Sequence, residues 1–362
     1  MFQNNLLMAA DAATSGPSLV SVGNSALFTG ATQSLTDTPA SAGDLRNWTF
    51  SFWVYINNAS TKYVFTTGSS TFGTMGFSSS IFYMQSHNSA SANSSFFIPT
   101  RVYRDIGWYN FVIRCSSSVG DGTAVYDGMY VSIWVNGEAQ AVSVTTYNTP
   151  TAAPRLFNGA VQTFGLAAGT PPNMYLAEVV YLDGQKQDAT SFGEFDSTGL
   201  YWTPLDSDTI KELTFGTNGL YFDNVTNPQT DASGNGNNFT NNNSVTTSTN
   251  TPTNLYNIFN PLRCDKSMPV GTITTGNRRL IPVGSSDQER IISTLGVSSG
   301  KWFFGGSRPT SISASYEQEI GIANNTVTNF TGTYPAGTWA VNDSSGSYFR
   351  VNENGAGAVQ IT

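Results

Sequence analysis

The sequence is short of charge. Asp, Glu, Lys and Arg make up 11% of its 362 residues, against about a quarter in an ordinary globular protein. The formal net charge is −8, which argues against nucleic acid as a main partner, because phosphate contacts need clustered cations. Good helix formers such as Lys, Glu and Leu are sparse, so long helices are not expected. Two cysteines are present, Cys115 and Cys264, far apart in the chain. They make no disulfide framework and read as free, largely buried thiols. The sole histidine, His87, lies in a Ser/Asn-rich stretch. No His–Cys or His–Ser relay can be assembled around it, and it reads as a surface-loop residue. No apolar run reaches the ~18 residues of a membrane-spanning helix. The first ten residues lack the positive region and long apolar core of a secretory signal. The chain is therefore expected to stay in the cell that makes it until assembly or lysis.

Gly, Ser, Thr and Asn fill the space, together with 23 Phe, 16 Tyr and 7 Trp. Disordered chains are poor in aromatics. Aromatic, β-branched and turn-forming residues in this mixture predict an all-β protein. The clearest element is residues 47–57, where Trp48, Phe50, Phe52, Val54 and Ile56 alternate with Thr49, Ser51, Trp53 and Tyr55. Strands send successive side chains to opposite faces, so this is a half-buried strand with one apolar side, around which others are built. Burying five such side chains contributes on the order of 10 kcal/mol before entropy.

Four segments follow from the pattern. Residues 1–17 hold an apolar decapeptide and a small-residue linker, read either as a frayed terminus or as a docking arm anchored by Phe2, Leu6, Leu7 and Met8. Residues 18–196 carry strand signals at sandwich-like spacing: 25–29, 48–56, 62–66, 81–85, 108–115, 129–135, 139–144 and 174–182. Asn136-Gly137 marks a two-residue hairpin turn. The Gly-, Ser- and Asn-rich stretches 67–80, 86–100, 116–128 and 145–172 read as long loops. Residues 197–265, rich in Asn, Ser and Thr with one short helix near 208–213, read as an extended connector laid over a neighbouring domain or subunit, with Trp202, Tyr221 and Phe222 as anchors, or as a disordered linker. Residues 266–362 begin a second β domain with strands near 279–283, 300–304, 319–322 and 347–351, and look incomplete at Thr362.

The ordered set Leu27-Phe28-Thr29-Gly30, Trp48 to Val54, Gly107-Trp108-Tyr109-Asn110-Phe111-Val112, Val131 to Gly137 and Tyr175 to Tyr181 resembles the laminin-G-like, concanavalin-A-like jelly roll. Downstream, Trp202-Thr203-Pro204, Phe215-Gly216-Thr217-Asn218-Gly219, Asp231-Ala232-Ser233-Gly234-Asn235-Gly236-Asn237 and Asn260-Pro261-Leu262 resemble a block of structural proteins of marine tailed bacteriophages. In that group a lectin-like domain precedes a SPRY-like sandwich, whose opening strand Ser299-Gly300-Lys301-Trp302-Phe303 resembles. The resemblance implies a non-enzymatic virion protein, such as a tail or head fibre or a capsid decoration. It also implies other virion proteins as partners, a homo-oligomer for which a trimer is common, and host surface polysaccharide as a ligand. A free glycan-binding lectin is the rival reading, and a jelly-roll glycosidase the remote one.

The residues themselves were weighed for three chemistries. Glucanases of this shape alternate carboxylates on one strand. The nearest match, Glu194-Phe195-Asp196, lacks a third carboxylate, and Glu317-Gln318-Glu319 has no partner. Asp121 and Asp127 flank a Gly-rich loop at a spacing that suits calcium or, equally, plain turn geometry. Tyr103, Tyr126 and Tyr147, with Asp121 and Asp127, are candidates for stacking on and hydrogen-bonding to a glycan; each tyrosine could instead cap the core edge.

Overall fold

In a computed structural model the described residues are 20–30, 32–56, 61–68, 73–87, 94–103, 107–122, 124–126, 129–147, 159–165, 174–196, 199 and 201–253, together with the backbone of strands between Phe259 and Ile361. The chain divides into two compact units, Met1–Leu255 and Tyr256–Thr362.

Among the described residues of the first unit, the strands form a nine-stranded and an eight-stranded antiparallel sheet and a separate two-stranded hairpin, Gly193–Phe195 with Trp202–Pro204. The protein is all-β, as the composition predicts. Trp48–Ile56 lies in the middle of the nine-stranded sheet, between Gly107–Ser116 and Met174–Asp183. Its Phe50, Phe52 and Val54 join Phe111 and Ile113 in facing Phe65, Met75, Phe77, Phe82 and Met84 of the other sheet. Ring centroids meet across the gap at 5.3 Å for Phe50–Phe65 and 4.4 Å for Phe82–Phe111. This is a jelly-roll sandwich whose core is made largely of aromatic side chains.

The second side of Trp48–Ile56 is buried too, which corrects the half-buried reading. Trp53 is 1% exposed and Tyr55 3%. They belong to a second core with Trp108, Val112, Val180, Phe192, Trp202, Ile210, Phe215 and Tyr221. The cover comes largely from the region read as a connector. Leu220–Phe222 pairs with Met174–Asp183, Thr240–Asn242 with Ser34–Asp37, and Thr246–Ser248 with Ser25–Phe28. Residues 201–253 thus extend both sheets of their own sandwich. Few aliphatics suffice because Phe215, Tyr221, Phe222 and Phe239 are buried in the two cores. The short helix is Ser207–Lys211, capped by Asp206, whose side chain accepts from the Asp208 N–H at 2.9 Å.

All four predicted loops contain strands: Gly73–Ser78, Ser94–Pro99, Ala124–Tyr126 and Gln162–Phe164. Small residues in the first serve close packing, since a Cβ on Gly76 would sit 2.2 Å from the Lys62 carbonyl oxygen. Asn136 and Gly137 make the hairpin turn with φ of 50° and 77°. The returning strand is only Glu138–Ala139; Val142–Tyr147 then pairs with Ser94–Pro99 in the other sheet. Cys115 is free and buried, its sulfur 3.4 Å from that of Met129, and burial pushes its thiol up to about 12.

In the second unit, Phe259–Cys264 pairs with Ile291–Ser293 and Thr272–Thr274 with Arg279–Ile281. Gln318–Ala323, Thr338–Ser344, Tyr348–Glu353 and Ala356–Ile361 form an antiparallel meander. The expected strand at 300–304 and the N-terminal arm, with Phe2, Leu6, Leu7 and Met8, lie outside the described residues.

Candidate functional site

The loop following Gly107–Ser116 has a rigid base and a bare tip. Arg114 stands on the outer side of that strand, with its guanidinium 5.1 Å from the centre of a Trp134 ring. Its Nη2 reaches Asp121 Oδ1 at 2.8 Å and the Asp121 carbonyl at 3.2 Å, and its Nη1 pairs with Asp188. Lys186 Nζ lies 3.3 Å from Asp121 Oδ2 and donates to Ser118 Oγ at 2.9 Å. From the other side, Asn47 Oδ1 accepts the Ser117 N–H at 3.1 Å and its hydroxyl at 3.0 Å. The Ser116 hydroxyl, then Arg114 and Lys186, hold the Asp121 carboxyl below the usual carboxylate range against its partial burial. At the tip, Val119 is 89% exposed, and Ser117, Ser118 and Gly120 are exposed beside it. Charged side chains of both signs thus pin a loop whose tip is neutral.

This geometry corrects two expectations. Asp121 serves as the anion of a pinned loop, its two carboxylate oxygens paired with Arg114 and Lys186. Among the described residues no group of three or more His, Cys, Asp or Glu side chains could hold a metal. Tyr103 is no stacking platform. It is 1% exposed and packs in the core against Phe111 at 5.2 Å and Tyr109 at 5.5 Å, where burial pushes its phenol up. Tyr126 and Tyr147 close the strands Ala124–Tyr126 and Val142–Tyr147; their side chains, and Asp127, lie outside the described residues.

The weighed carboxylates also have places. Glu194 is exposed in the short strand Gly193–Phe195, and Asp196 Oδ1 accepts the Tyr201 N–H at 2.9 Å to close the hairpin with Trp202–Pro204. In the Asp231 to Asn237 motif, Asp231 accepts the N–H groups of Tyr221, Ser233 and Asn237, each at 2.9 Å. The Asn235 and Asn237 amides donate to the Gly219 carbonyl at 2.9 and 2.8 Å. That motif is a hydrogen-bonded knot that fastens the outer layer. Arg114 and Lys186 were not foreseen as site residues. The available signal was a single cation ending the apolar alternation of residues 107–116.

No protein-family profile matches the chain, and no curated protein matches it in sequence. Among solved structures, a heptameric SAP-like pentraxin from Limulus polyphemus aligns at 12% identity over 46% of this chain and 79% of its own, with a TM-score of 0.32. Domains LG4-5 of the mouse laminin alpha1 chain align at 13% identity over 49% of this chain and 48% of the laminin fragment, with a TM-score of 0.31. The botulinum neurotoxin serotype C1 binding domain aligns at 9% identity over 93% of this chain and 92% of its own, with a TM-score of 0.29. At such scores these likenesses add nothing to the sheet topology, on which the fold class rests.

Proposed function

We propose that the chain is a non-enzymatic structural component of a tailed-phage virion, a fibre or decoration protein, whose sandwich contacts host surface polysaccharide through its loop rim. The observation that carries the binding part is the pinned 117–122 loop. A tip that is pre-ordered loses little conformational entropy on contact. Exposed hydroxyls, backbone groups and the Val119 methyls suit a neutral, hydroxyl-rich ligand better than a charged one. The outer side of the nine-stranded sheet is taken up by the chain's own second core, which leaves loops as the natural contact surface. The virion assignment is supported by the sequence resemblance of the 202–262 block. In this reading the protein is a homo-oligomer, a trimer among the forms expected, held to other virion proteins by the N-terminal arm. One rim binds weakly, and many copies give adhesion.

Two measurements test this. Mass spectrometry of purified particles should find the chain; its absence would leave the free-lectin reading. A glycan array probed with the full chain should show binding only when the protein is multimerised. Val119→Glu should abolish that binding, and Asp121→Ala, which unpins the loop, should reduce it about tenfold. Equal binding by the wild type and both variants would sink the rim assignment.

A further inference from the structure

The strand Met174–Asp183 breaks step once. Ala177 pairs with Trp53 and Val180 with Ser51, so Glu178 and Val179 together oppose Phe52 in a β-bulge. Glu178 takes φ of 48°, a left-handed conformation that costs a non-glycine residue on the order of 1 kcal/mol or more. Strain of this kind persists where the surroundings fix it. Here it places a carboxyl group, 7% exposed, on the outer side of the sheet, where the Tyr221 hydroxyl donates to its Oε2. Ser207, at the start of the short helix, hydrogen-bonds the same tyrosine oxygen. The bond therefore ties Met174–Asp183 to Leu220–Phe222, its neighbour in the same sheet, and through Ser207 to the short helix.

The charges around Glu178 oppose its ionisation on balance. Asp223, next to Leu220–Phe222, and Asp206, the helix cap, are both negative towards it; Lys211 is positive, but it is paired with Asp223 at 3.6 Å. Tyr221 lies directly against it as its hydrogen-bond donor. Ionising Glu178 would put another negative charge in a buried place, with Lys211 already paired to Asp223.

We propose that Glu178 and Tyr221 form a proton-operated latch, which holds the short helix and the edge strand Leu220–Phe222, residues 207–223, against Met174–Asp183 while Glu178 carries its proton and loosens when the proton is lost.

Burial above all raises Glu178 from an ordinary 4.5 to about 8, with Tyr221 opposing and Asp223 adding. Closure therefore takes up a proton. The latch is fully held below pH 4.5, weakens as pH rises, and levels off above about 8.

Hydrogen exchange on the full chain, corrected for the intrinsic pH dependence of exchange, reads this directly. Opening of 207–223 should rise about tenfold per pH unit from about 5 to about 8, while Trp48–Ile56 stays protected. Glu178→Gln, which still accepts from Tyr221, should remove the slope and keep the layer closed. A flat wild-type profile, or the same slope in Glu178→Gln, would overturn the latch. If Glu178→Gln does not fold, the infrared band of a buried protonated carboxyl in the wild type decides: it should fade between pH 7 and 9 and shift in Tyr221→Phe. A band unaffected by either change would also overturn the latch.

Discussion

Trp202 donates its indole N–H to Asn110 Oδ1 at 3.0 Å, deep between the sandwich and its outer layer. The Asn110 amide nitrogen donates to the Phe52 carbonyl at 3.3 Å, and its backbone N–H goes to Asn136 Oδ1 at 2.8 Å. One asparagine thus ties the central strand, the hairpin turn and the outer layer together. Trp202→Phe should cost about 1–3 kcal/mol, because it leaves a buried acceptor unpaired. Trp202→Ala should cost about 3–5 kcal/mol through the cavity it opens. Equilibrium denaturation measures both, and an unchanged midpoint for Trp202→Phe would show that the bond contributes nothing.

Gly137 lies under the same ring. It combines φ of 77° with a position where a Cβ would sit 2.3 Å from Trp202. Gly137→Ala should therefore destabilise by about 2–4 kcal/mol, from backbone strain and overpacking together. Gly184, also at positive φ but with open space around its Cβ position, is the control: its alanine variant should lose only about 1 kcal/mol.

The boundary of the first unit is testable by truncation. A chain ending at residue 255 should fold cooperatively with native-like tryptophan fluorescence. A chain ending at residue 196 would strip the cover from Trp53, Tyr55 and Trp108, and should aggregate or bind a hydrophobic dye. Cooperative folding of the shorter chain would show that residues 201–253 are an accessory.

Lys62 gives a second, opposite pH dependence. It is 1% exposed, and burial lowers it from 10.5 to about 8. The unfolded chain holds this proton where the folded chain has lost it, so stability should rise by about 3 kcal/mol between pH 8 and 10.5. Combined with the loss from Glu178 up to about 8, these two groups place a stability minimum near pH 8. Denaturation midpoints across pH 5–10.5, compared with Lys62→Met, should show the rise disappear in the variant.

Much of this fold could be read in advance because its central strands alternate cleanly. Residues 107–116 and 129–135 send Phe111, Ile113, Val131 and Ile133 to one side and, apart from Val112, polar or amphipathic groups to the other. Gly73–Ser78 was hidden because only Met75 and Phe77 mark its inner side among small residues. Trp202, Tyr221 and Phe222 could be read as anchors of a chain laid over a neighbouring domain or subunit; that they cover this unit's own sheets could not, because the stretch is poor in aliphatics and no periodicity shows what they face. At the rim, Asp121 could be read from its turn; the cations that claim it come from other elements, and only the fold brings them there. Glu178 was not singled out in its apolar run, because the bulge that aims it depends on the register with Trp48–Ile56.

The first unit's strands begin and end side by side. Ser25–Phe28 pairs with Thr246–Ser248, and just outside that pair the Val22 N–H meets Thr253 Oγ1 at 2.8 Å. A pull applied through the chain on both sides of the unit would arrive at the same end of these two antiparallel strands. It would part them rung by rung, in peeling rather than in shear, before any tension reached the aromatic core. The sandwich is thus hung on the chain by a clasp, and mechanical strain would open the clasp first.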